Sequence, residues 1–172
     1  MLRDFTNLNR YLNSLLQDVY PSPPDEGHTQ LLRGLMETWI TSLKSVKSVI
    51  DVGCGDTAIA HAFFKKLGIE YTGVAIGMDF IKLQERGIHA VNSDFSFLDD
   101  FEDDSVDMVF SRHSLEHSPM PLLTLMEWHR VSKHFLCVVV PNAEFHGKTG
   151  LNHYSVLEDE QWRFLFERED GS

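Results

Sequence analysis

A glycine-rich turn carries the residues that first suggest chemistry in this chain. The apolar run at 49–52 predicts a buried strand, Gly53-Cys54-Gly55 ends it, and an apolar-periodic segment from Ala58 predicts a helix. Glycines at such a turn let backbone N–H groups approach a ligand closely. The helix N-terminus behind them would add unpaired donors and a partial positive charge. The turn is therefore predicted to hold a ligand.

The acid that precedes the turn indicates the charge of that ligand. Asp51 stands at the end of the predicted strand. A carboxylate facing the turn would repel a pyrophosphate, but it could hold the ammonium group of an amino acid directly or through water. The dinucleotide fingerprint Gly-x-Gly-x-x-Gly would also require a third glycine where Ala58 stands. A cationic ligand is favoured, with a plain strand-to-helix connection as the alternative.

A second group of polar residues follows the predicted fourth strand, in the run Ser111-Arg112-His113-Ser114-Leu115-Glu116-His117. In a doubly wound sheet, ligands bind outside the carboxyl ends of the strands near the switch in strand order, and this strand would neighbour the first. The group is therefore expected beside the glycine turn. A neutral His113 or His117 could serve as a general base near pH 7. Alternatively, Glu116 and His117 only tie down the following loop.

The same run also matches His-x-x-Glu-His, the inverted zinc-protease pattern. That pattern needs both histidines on one face of a long helix and a third ligand downstream. Pro119 and Pro121 end any helix just after His117. No metal ion is therefore expected.

Alternating helices and strands must position these groups, and their apolar periodicity predicts a parallel, doubly wound sheet. Helices are predicted at 3–19 and 31–43, before the first strand. The predicted core elements are strands at 49–52, 70–76, 88–91, 106–110 and 135–140 and helices at 58–67, 79–86, 121–132 and 155–165, the last capped by Ser155 with Glu158 at the capping-box position.

The composition restricts the class of protein. A chain of 172 residues with 42% hydrophobic residues can bury one core, so residues 1–172 are read as one domain with an N-terminal helical cap at 1–45 and a core at 46–172. Its net charge of -11 opposes phosphate neutralisation, so a nucleic acid is not an expected partner.

The expected compartment is the cytoplasm. Cys54 and Cys137 have neither metal-site spacing nor a framework role, which fits a reducing environment. The N-terminus lacks the apolar region of a signal peptide, and no run approaches the roughly 20 apolar residues that span a membrane.

The glycine turn from Asp51 to Gly55 resembles the first motif of class I S-adenosylmethionine-dependent methyltransferases, Asp/Glu-x-Gly-x-Gly-x-Gly. The run from Ser111 to His117 is similar to the Ser-x-x-x-Leu-Glu-His signature of small-molecule members, and the resemblance continues to about Trp162. It implies an α/β fold: a Rossmann-like three-layer sandwich with a mainly parallel sheet of order 3-2-1-4-5, without the usual last two strands and preceded by N-terminal helices. The implied cofactor is S-adenosylmethionine.

The resemblance also implies roles for individual residues. Asp51 and the glycine turn would hold the methionine end of the cofactor, Asp94 and Phe95 the adenine, and His113 or His117 would accept a proton. The complete implied set of cofactor-binding residues is Asp51, Gly53, Cys54, Gly55, Ala75, Ile76, Asp94, Phe95 and Ser111. Candidates for lining a substrate pocket are His28, Arg33, His146, His153 and Tyr154.

Three features depart from the family pattern. Thr57 replaces the third glycine, and Ala75 stands where the family usually carries an acid that binds both ribose hydroxyls. Either Asp79 reaches back to the ribose, or the cofactor binds weakly, or the ligand has changed. The two missing strands leave the fifth strand as an edge that the last helix or a second subunit, in a homodimer, could cover.

The favoured function is methyl transfer from S-adenosylmethionine to a small-molecule nucleophile. A catalytically weak or inactive protein that keeps the fold for binding or regulation is the alternative. A nicotinamide dehydrogenase is a third hypothesis, which the glycine spacing and the missing ribose acid disfavour.

Overall fold

The computed structural model of the protein describes residues 34, 36, 38–141, 143 and 153–169. Its strands are β1 (Ser48–Val52), β2 (Glu70–Ala75), β3 (Ala90–Asn92), β4 (Val106–Arg112) and β5 (Ser132–Val139). They form one sheet in the order β3-β2-β1-β4-β5, and every neighbouring pair is parallel. The predicted strand order is confirmed.

Helices cover both faces of the sheet, which gives three layers. The helices are α1 (His61–Lys66), α2 (Gly77–Glu85), α3 (Pro121–Val131) and α4 (Asp159–Glu169). Phe64 of α1 packs in one core cluster with Val49 of β1, whereas Trp128 of α3 packs in a second cluster with Ile50. Successive β1 side chains therefore point to opposite cores, which is why Val49, Ile50 and Val52 are all apolar.

The segment before β1 belongs to the first of these cores. Gly34, Met36 and Thr38 are helical, and a 3₁₀ turn follows at Ile40–Ser42. Met36 and Ile40 are buried in the cluster that contains Val49. The predicted helix at 3–19 lies outside the described residues, so the bounds of the helical cap and the single-domain division stay predictions.

The first helix starts later than predicted. Ala58 has a positive φ of 43°, and α1 begins at His61 rather than at position 58. A residue in the left-handed region cannot continue a right-handed helix. Residues 55–60 are therefore turns, so the expected helix N-terminus directly behind the glycines is not present.

The last helix also starts later, because Ser155 has a different role from the predicted cap. Its hydroxyl donates to the Ser118 carbonyl at 2.7 Å, and its N–H donates to the Glu116 carbonyl at 3.0 Å. The helix begins at Asp159, where the Gln161 side-chain oxygen accepts from the Glu158 N–H at 3.0 Å. The other predicted bounds of the core elements, from β1 onward, differ from the observed ones by at most four residues.

Strand β5 lies at one edge of the sheet. Within the described ranges no strand pairs with its outer side, and α4 packs against α3 on a face of the sheet. A homodimer that extends this edge stays a prediction. None of the helices in the described part of the chain is long and apolar enough to cross a membrane.

A tryptophan connects the core to the loop after β3. Trp128 is fully buried, and its Nε1–H donates to the Phe95 carbonyl at 2.6 Å. We expect Trp128→Phe to lower the free energy of unfolding by about 2–4 kcal/mol, because it leaves both a cavity and a carbonyl without its donor.

Urea unfolding followed by circular dichroism measures this loss. Trp39, which is 37% exposed, provides the matched control. Trp39→Phe is expected to change the free energy of unfolding by less than about 0.5 kcal/mol. Equal losses in the two variants would contradict the expected contribution of Trp128 burial and of its hydrogen bond.

Candidate active site

The two glycines of the turn after β1 have different surroundings. Both have positive φ, 70° at Gly53 and 63° at Gly55. A Cβ on Gly53 would overlap the Ser114 hydroxyl and lie 2.7 Å from Ser114 Cβ, whereas a Cβ on Gly55 would have nothing within 4 Å. Gly53 is therefore required by packing. Gly55 borders open space, which a ligand could fill.

Hydrogen bonds fasten this turn to two neighbouring strands. The N–H groups of Gly53 and Cys54 both donate to the Val74 carbonyl of β2, at 3.0 and 3.3 Å. The Ser114 hydroxyl, just beyond β4, donates to the Gly53 carbonyl at 3.2 Å. The turn thus holds the carboxyl ends of β1, β2 and β4 in one place.

Asp51 is buried behind the turn, with 3% of its surface exposed. Its Oδ2 accepts a hydrogen bond from the Tyr71 hydroxyl at 2.7 Å. Burial raises the pKa of Asp51 to about 7, although the Tyr71 hydrogen bond and the charge of Arg112 act in the opposite direction. Near neutral pH the carboxyl group is therefore balanced between its two forms, and a bound cation would favour the ionised one.

Asp94, in the loop after β3, has one carboxylate oxygen that lacks a partner. Its Oδ1 accepts from the Ser96 N–H at 2.8 Å, whereas its Oδ2 is buried without a hydrogen bond. Burial raises the pKa of this carboxyl group. The next residue, Phe95, is partly buried against the core that contains Trp128. A buried acceptor without a donor is the kind of atom that a ligand completes.

The end of β2 has no acid of its own, as the sequence indicated. Ala75 is 7% exposed, and Ile76 precedes α2 in an extended conformation. Asp79, in the first turn of α2, has a pKa raised by burial and then by the negative charge of Asp56 in the glycine turn. Asp79 also contributes to the raised pKa of Cys54. Its carboxylate therefore lies close to the turn.

At the end of β4, a histidine pairs with a buried carboxylate. His113 has a positive φ of 53°, and its Nδ1 lies 3.3 Å from Glu116 Oε1. Glu116 is 1% exposed, whereas the His113 side chain is 29% exposed. A carboxylate that holds one ring nitrogen fixes the orientation of the imidazole ring. Ser111 is fully buried beside them, with a hydroxyl that has no partner.

His117 lies on a 3₁₀ turn, Leu115–His117, rather than on a long helix. His113 precedes this turn, so the two histidines do not share one helical face as the zinc-protease pattern requires. The ring of His153 packs edge-to-face on that of His117, with centroids 4.7 Å apart. Tyr154 is 41% exposed, and the candidates His28, Arg33 and His146 lie outside the described residues.

Sequence reasoning missed two residues that shape this site, Tyr71 and Ser114. Tyr71 meets Asp51 because β1 and β2 pair in a register that places Val49 opposite Tyr71. The amino-acid sequence alone contains no signal for that strand register. The close approach of Ser114 to Gly53 depends in the same way on where β4 ends.

Replacing each glycine with alanine should distinguish the close packing around Gly53 from the open space beside Gly55. We expect Gly53→Ala to unfold the protein at much lower urea concentration than Gly55→Ala, whose cost is about 1–2 kcal/mol for the left-handed backbone alone. Ser114→Gly in the Gly53→Ala background removes the overlapping atoms and should recover part of the loss. Equal unfolding midpoints for the two alanine variants would contradict this assignment.

The raised pKa of Asp51 makes stability depend on pH. Between the ordinary aspartate pKa of 3.8 and the raised pKa of about 7, the folded state binds more protons than the unfolded state, so stability falls as pH rises through this range. Asp51→Asn keeps the acceptor for Tyr71 and should stabilise the cofactor-free protein at pH 8 by on the order of 2–4 kcal/mol, with little effect at pH 4.

Urea unfolding at pH 4 and pH 8 measures this change in stability. Asp107 provides a control, because its replacement should change stability in the opposite direction. Burial raises its pKa, but the N–H groups of Lys47 and Ser48 outweigh that effect and lower it. Asp107→Asn is therefore expected to destabilise the protein near pH 7. A destabilised Asp51→Asn protein at pH 8 would contradict the burial argument.

Comparison with known proteins gives the family. Residues 50–135 of the 172 match the family model described as a methyltransferase domain. None of the curated proteins matches significantly. A methyltransferase structure from Archaeoglobus fulgidus, described as S-adenosylmethionine dependent, is 24% identical with a TM-score of 0.68, and the match covers 82% of this chain and 68% of that one.

Two further solved structures share the fold. A protein from Aquifex aeolicus with the same description is 17% identical with a TM-score of 0.59, over 86% of this chain and 88% of that one. The [4+2]-cyclase SpnF is 19% identical with a TM-score of 0.67, over 96% of this chain and 68% of that one. At these identities the structures establish the fold, and the family model establishes more: the chain belongs to the methyltransferase domain family, whose cofactor is S-adenosylmethionine.

Proposed function

We propose that this protein transfers the methyl group of S-adenosylmethionine to a small-molecule nucleophile. The observation that carries the proposal is the buried Asp94 Oδ2, which has no donor. The amino group of adenine supplies an N–H donor of the kind that this oxygen lacks. Since the Asp94 Oδ1 is held by the Ser96 N–H, the carboxylate is already fixed in position.

The glycine turn would hold the opposite end of the cofactor. Gly55 borders open space, so the backbone there can approach a ligand without interference from a side chain. Asp51 lies directly behind the turn, and its carboxylate would compensate the ammonium group of the methionine end. The donors come from the turn itself, because α1 begins only at His61.

Asp79 is the residue that we assign to the ribose. Ala75 has no polar side chain, whereas the Asp79 carboxylate is close enough to Asp56 and Cys54 in the glycine turn to affect the pKa of Cys54 and to have its own pKa raised by Asp56. Asp56 is itself bound by Lys82 at 2.8 Å, and its carbonyl accepts from Arg86. Asp79 is therefore the carboxylate available to accept hydrogen bonds from ribose hydroxyls.

Methyl transfer demands alignment more than activation. The bound cofactor supplies a methyl group on a sulfonium centre, which is already a good leaving group. The protein's own task is to orient the nucleophile, exclude water and remove a proton where the nucleophile carries one. We assign proton removal to His113, because its side chain is 29% exposed at the end of β4 and Glu116 Oε1 holds its Nδ1 in a fixed position.

The chemical class of the substrate follows from charge. A net charge of -11 disfavours nucleic acids, so we propose a small, uncharged or cationic molecule. A binding or regulatory protein is the second candidate, and the replacement of the ribose acid by Ala75 favours it. The fold leaves this choice open, since a cyclase shares it.

Calorimetry with S-adenosylmethionine, S-adenosylhomocysteine and NAD tests the cofactor site. We expect the first two to bind and NAD to remain silent. Asp94→Ala and Asp79→Ala should each weaken binding about ten- to a hundredfold, because a hydrogen bond to a charged group contributes about 1.5–3 kcal/mol. Asp100→Ala, in an exposed loop, is the matched control and should bind like the unmodified protein.

The pH dependence of the same binding tests the placement of Asp51. The ammonium group needs an ionised partner, so affinity should rise as pH increases through about 7. Asp51→Asn should bind at least about tenfold more weakly at pH 8 and lose this dependence. An unchanged affinity would refute the role of Asp51, and silence toward both adenosyl compounds would refute the proposal as a whole.

Release of S-adenosylhomocysteine in the presence of candidate acceptors then separates the two functions. Turnover that falls in His113→Ala while cofactor affinity is retained supports the enzyme. Cofactor binding without turnover for any nucleophile class would favour the binding protein.

A further inference from the structure

Beside the candidate proton acceptor, the structure brings together three metal-ligating side chains. Glu116, His117 and His153 each offer one ligand atom, and these atoms all lie within 4.8 Å of one another. Two imidazoles and one carboxylate form a ligand set that zinc enzymes use with an open fourth position. His153 is 36 positions from His117 in sequence, so the tertiary structure alone assembles this set.

Hydrogen bonds away from the ligand atoms hold the two segments together. The Ser155 N–H donates to the Glu116 carbonyl at 3.0 Å, and the Ser155 hydroxyl donates to the Ser118 carbonyl at 2.7 Å. Ser118 in turn shares a 2.7 Å hydrogen bond with Thr124 of α3. The segment that carries His153 is thus fastened along the backbone of the 3₁₀ turn, which orients the imidazoles toward each other.

The burial of Glu116 gives an independent reason for a cation. The residue is 1% exposed, and its Oε2 is buried without a hydrogen-bond partner. Its other oxygen lies 3.3 Å from His113 Nδ1. A buried carboxylate is costly unless its charge is compensated, and coordination of a metal ion is one of the ways in which proteins compensate it. One oxygen has a partner within the protein, and the other lacks one.

We propose that Glu116, His117 and His153 bind one divalent transition-metal ion of the zinc class. Imidazole ligands favour zinc and its neighbours over magnesium or calcium, which prefer oxygen. Ligands about 2.0–2.2 Å from one tetrahedral ion lie about 3.3–3.6 Å apart, so side-chain shifts of about 1 Å or less close the set. His113 would then be the hydrogen-bonded neighbour that orients the ligating carboxylate.

The position of this ion would bring it next to the proposed cofactor site. Ser114, two residues before Glu116, contacts the Gly53 carbonyl of the glycine turn. His117 and His153 are both half-buried, so a fourth position facing outward can take water or an oxygen or nitrogen atom of a substrate. Metal binding is independent of the proposed function, because it can be measured without any cofactor.

The expectation that no metal is bound relied on the absence of a long helix around His117. That argument excludes the protease arrangement, in which both histidines share a helical face. It does not apply here, because the ligands come from a 3₁₀ turn and a separate segment. His113 belongs to the protease pattern but not to the proposed ligand set.

The test uses Co²⁺ and Zn²⁺ as probes on the full chain after removal of metal with a chelator. Visible absorption reports Co²⁺ in a site with imidazole ligands, and competition calorimetry reports Zn²⁺. We expect one equivalent of Co²⁺ to bind, with an absorption band that Zn²⁺ displaces. Glu116→Gln, His117→Ala and His153→Ala should each weaken binding at least about tenfold.

Two exposed histidines provide matched controls, His89→Ala and His134→Ala, which should bind both ions like the unmodified protein. The His153→Ala variant also guards against misfolding, because this residue is only half-buried. Its circular dichroism in the presence of chelator should equal that of the unmodified protein, while the rise in melting temperature caused by Zn²⁺ disappears. If Co²⁺ produces no band, or if the control variants lose binding as much as His117→Ala, the proposed site is wrong.

Discussion

The hydrogen bonds of Gly53 are the constraint on which the site depends. Its N–H donates to the Val74 carbonyl near the end of β2, and its carbonyl accepts a hydrogen bond from the Ser114 hydroxyl beyond β4. Because β1 lies between these two strands, one residue joins the loops on both sides of the switch in strand order. No side chain fits at this point, so glycine is required here for contact as well as for backbone conformation. The glycine turn and the run that carries His113, Glu116 and His117 therefore meet at that contact.

Buried carboxylates are the second theme of the site. Three carboxylates lie at the carboxyl end of the sheet: Asp51, Asp94 and Glu116. Each loses contact with water, and the hydrogen bonds that it makes within the protein replace only part of that hydration. Such groups weaken the fold unless something compensates them. Their concentration at one edge is better explained by ligands that complete them than by stability, because buried apolar residues would stabilise the core at lower cost.

The main features of the fold could be predicted because they rest on local patterns. Apolar runs and glycine punctuation placed all five strands, and the alternation of helices and strands predicted a parallel sheet. The family resemblance implied the strand order that the structure confirms. The errors in the helix starts arose where a single residue does not adopt the conformation or role that its local sequence favours. The left-handed backbone of Ala58 delays α1, and Ser155 bonds to the Glu116 and Ser118 carbonyls instead of capping a helix. Neither interaction has a periodic signature.

The sequence by itself determined which residues stand at the ends of the strands, since that depends on period and turn composition. Asp51 and the run that contains His113 were found in this way, whereas Asp94 was identified through the family resemblance. Only the tertiary structure decided which of these side chains meet. Tyr71 faces Asp51 because of strand register, and His153 reaches His117 because a distant segment docks on a 3₁₀ turn. Register and docking are set by the packing of whole elements, and no local stretch of sequence contains that information.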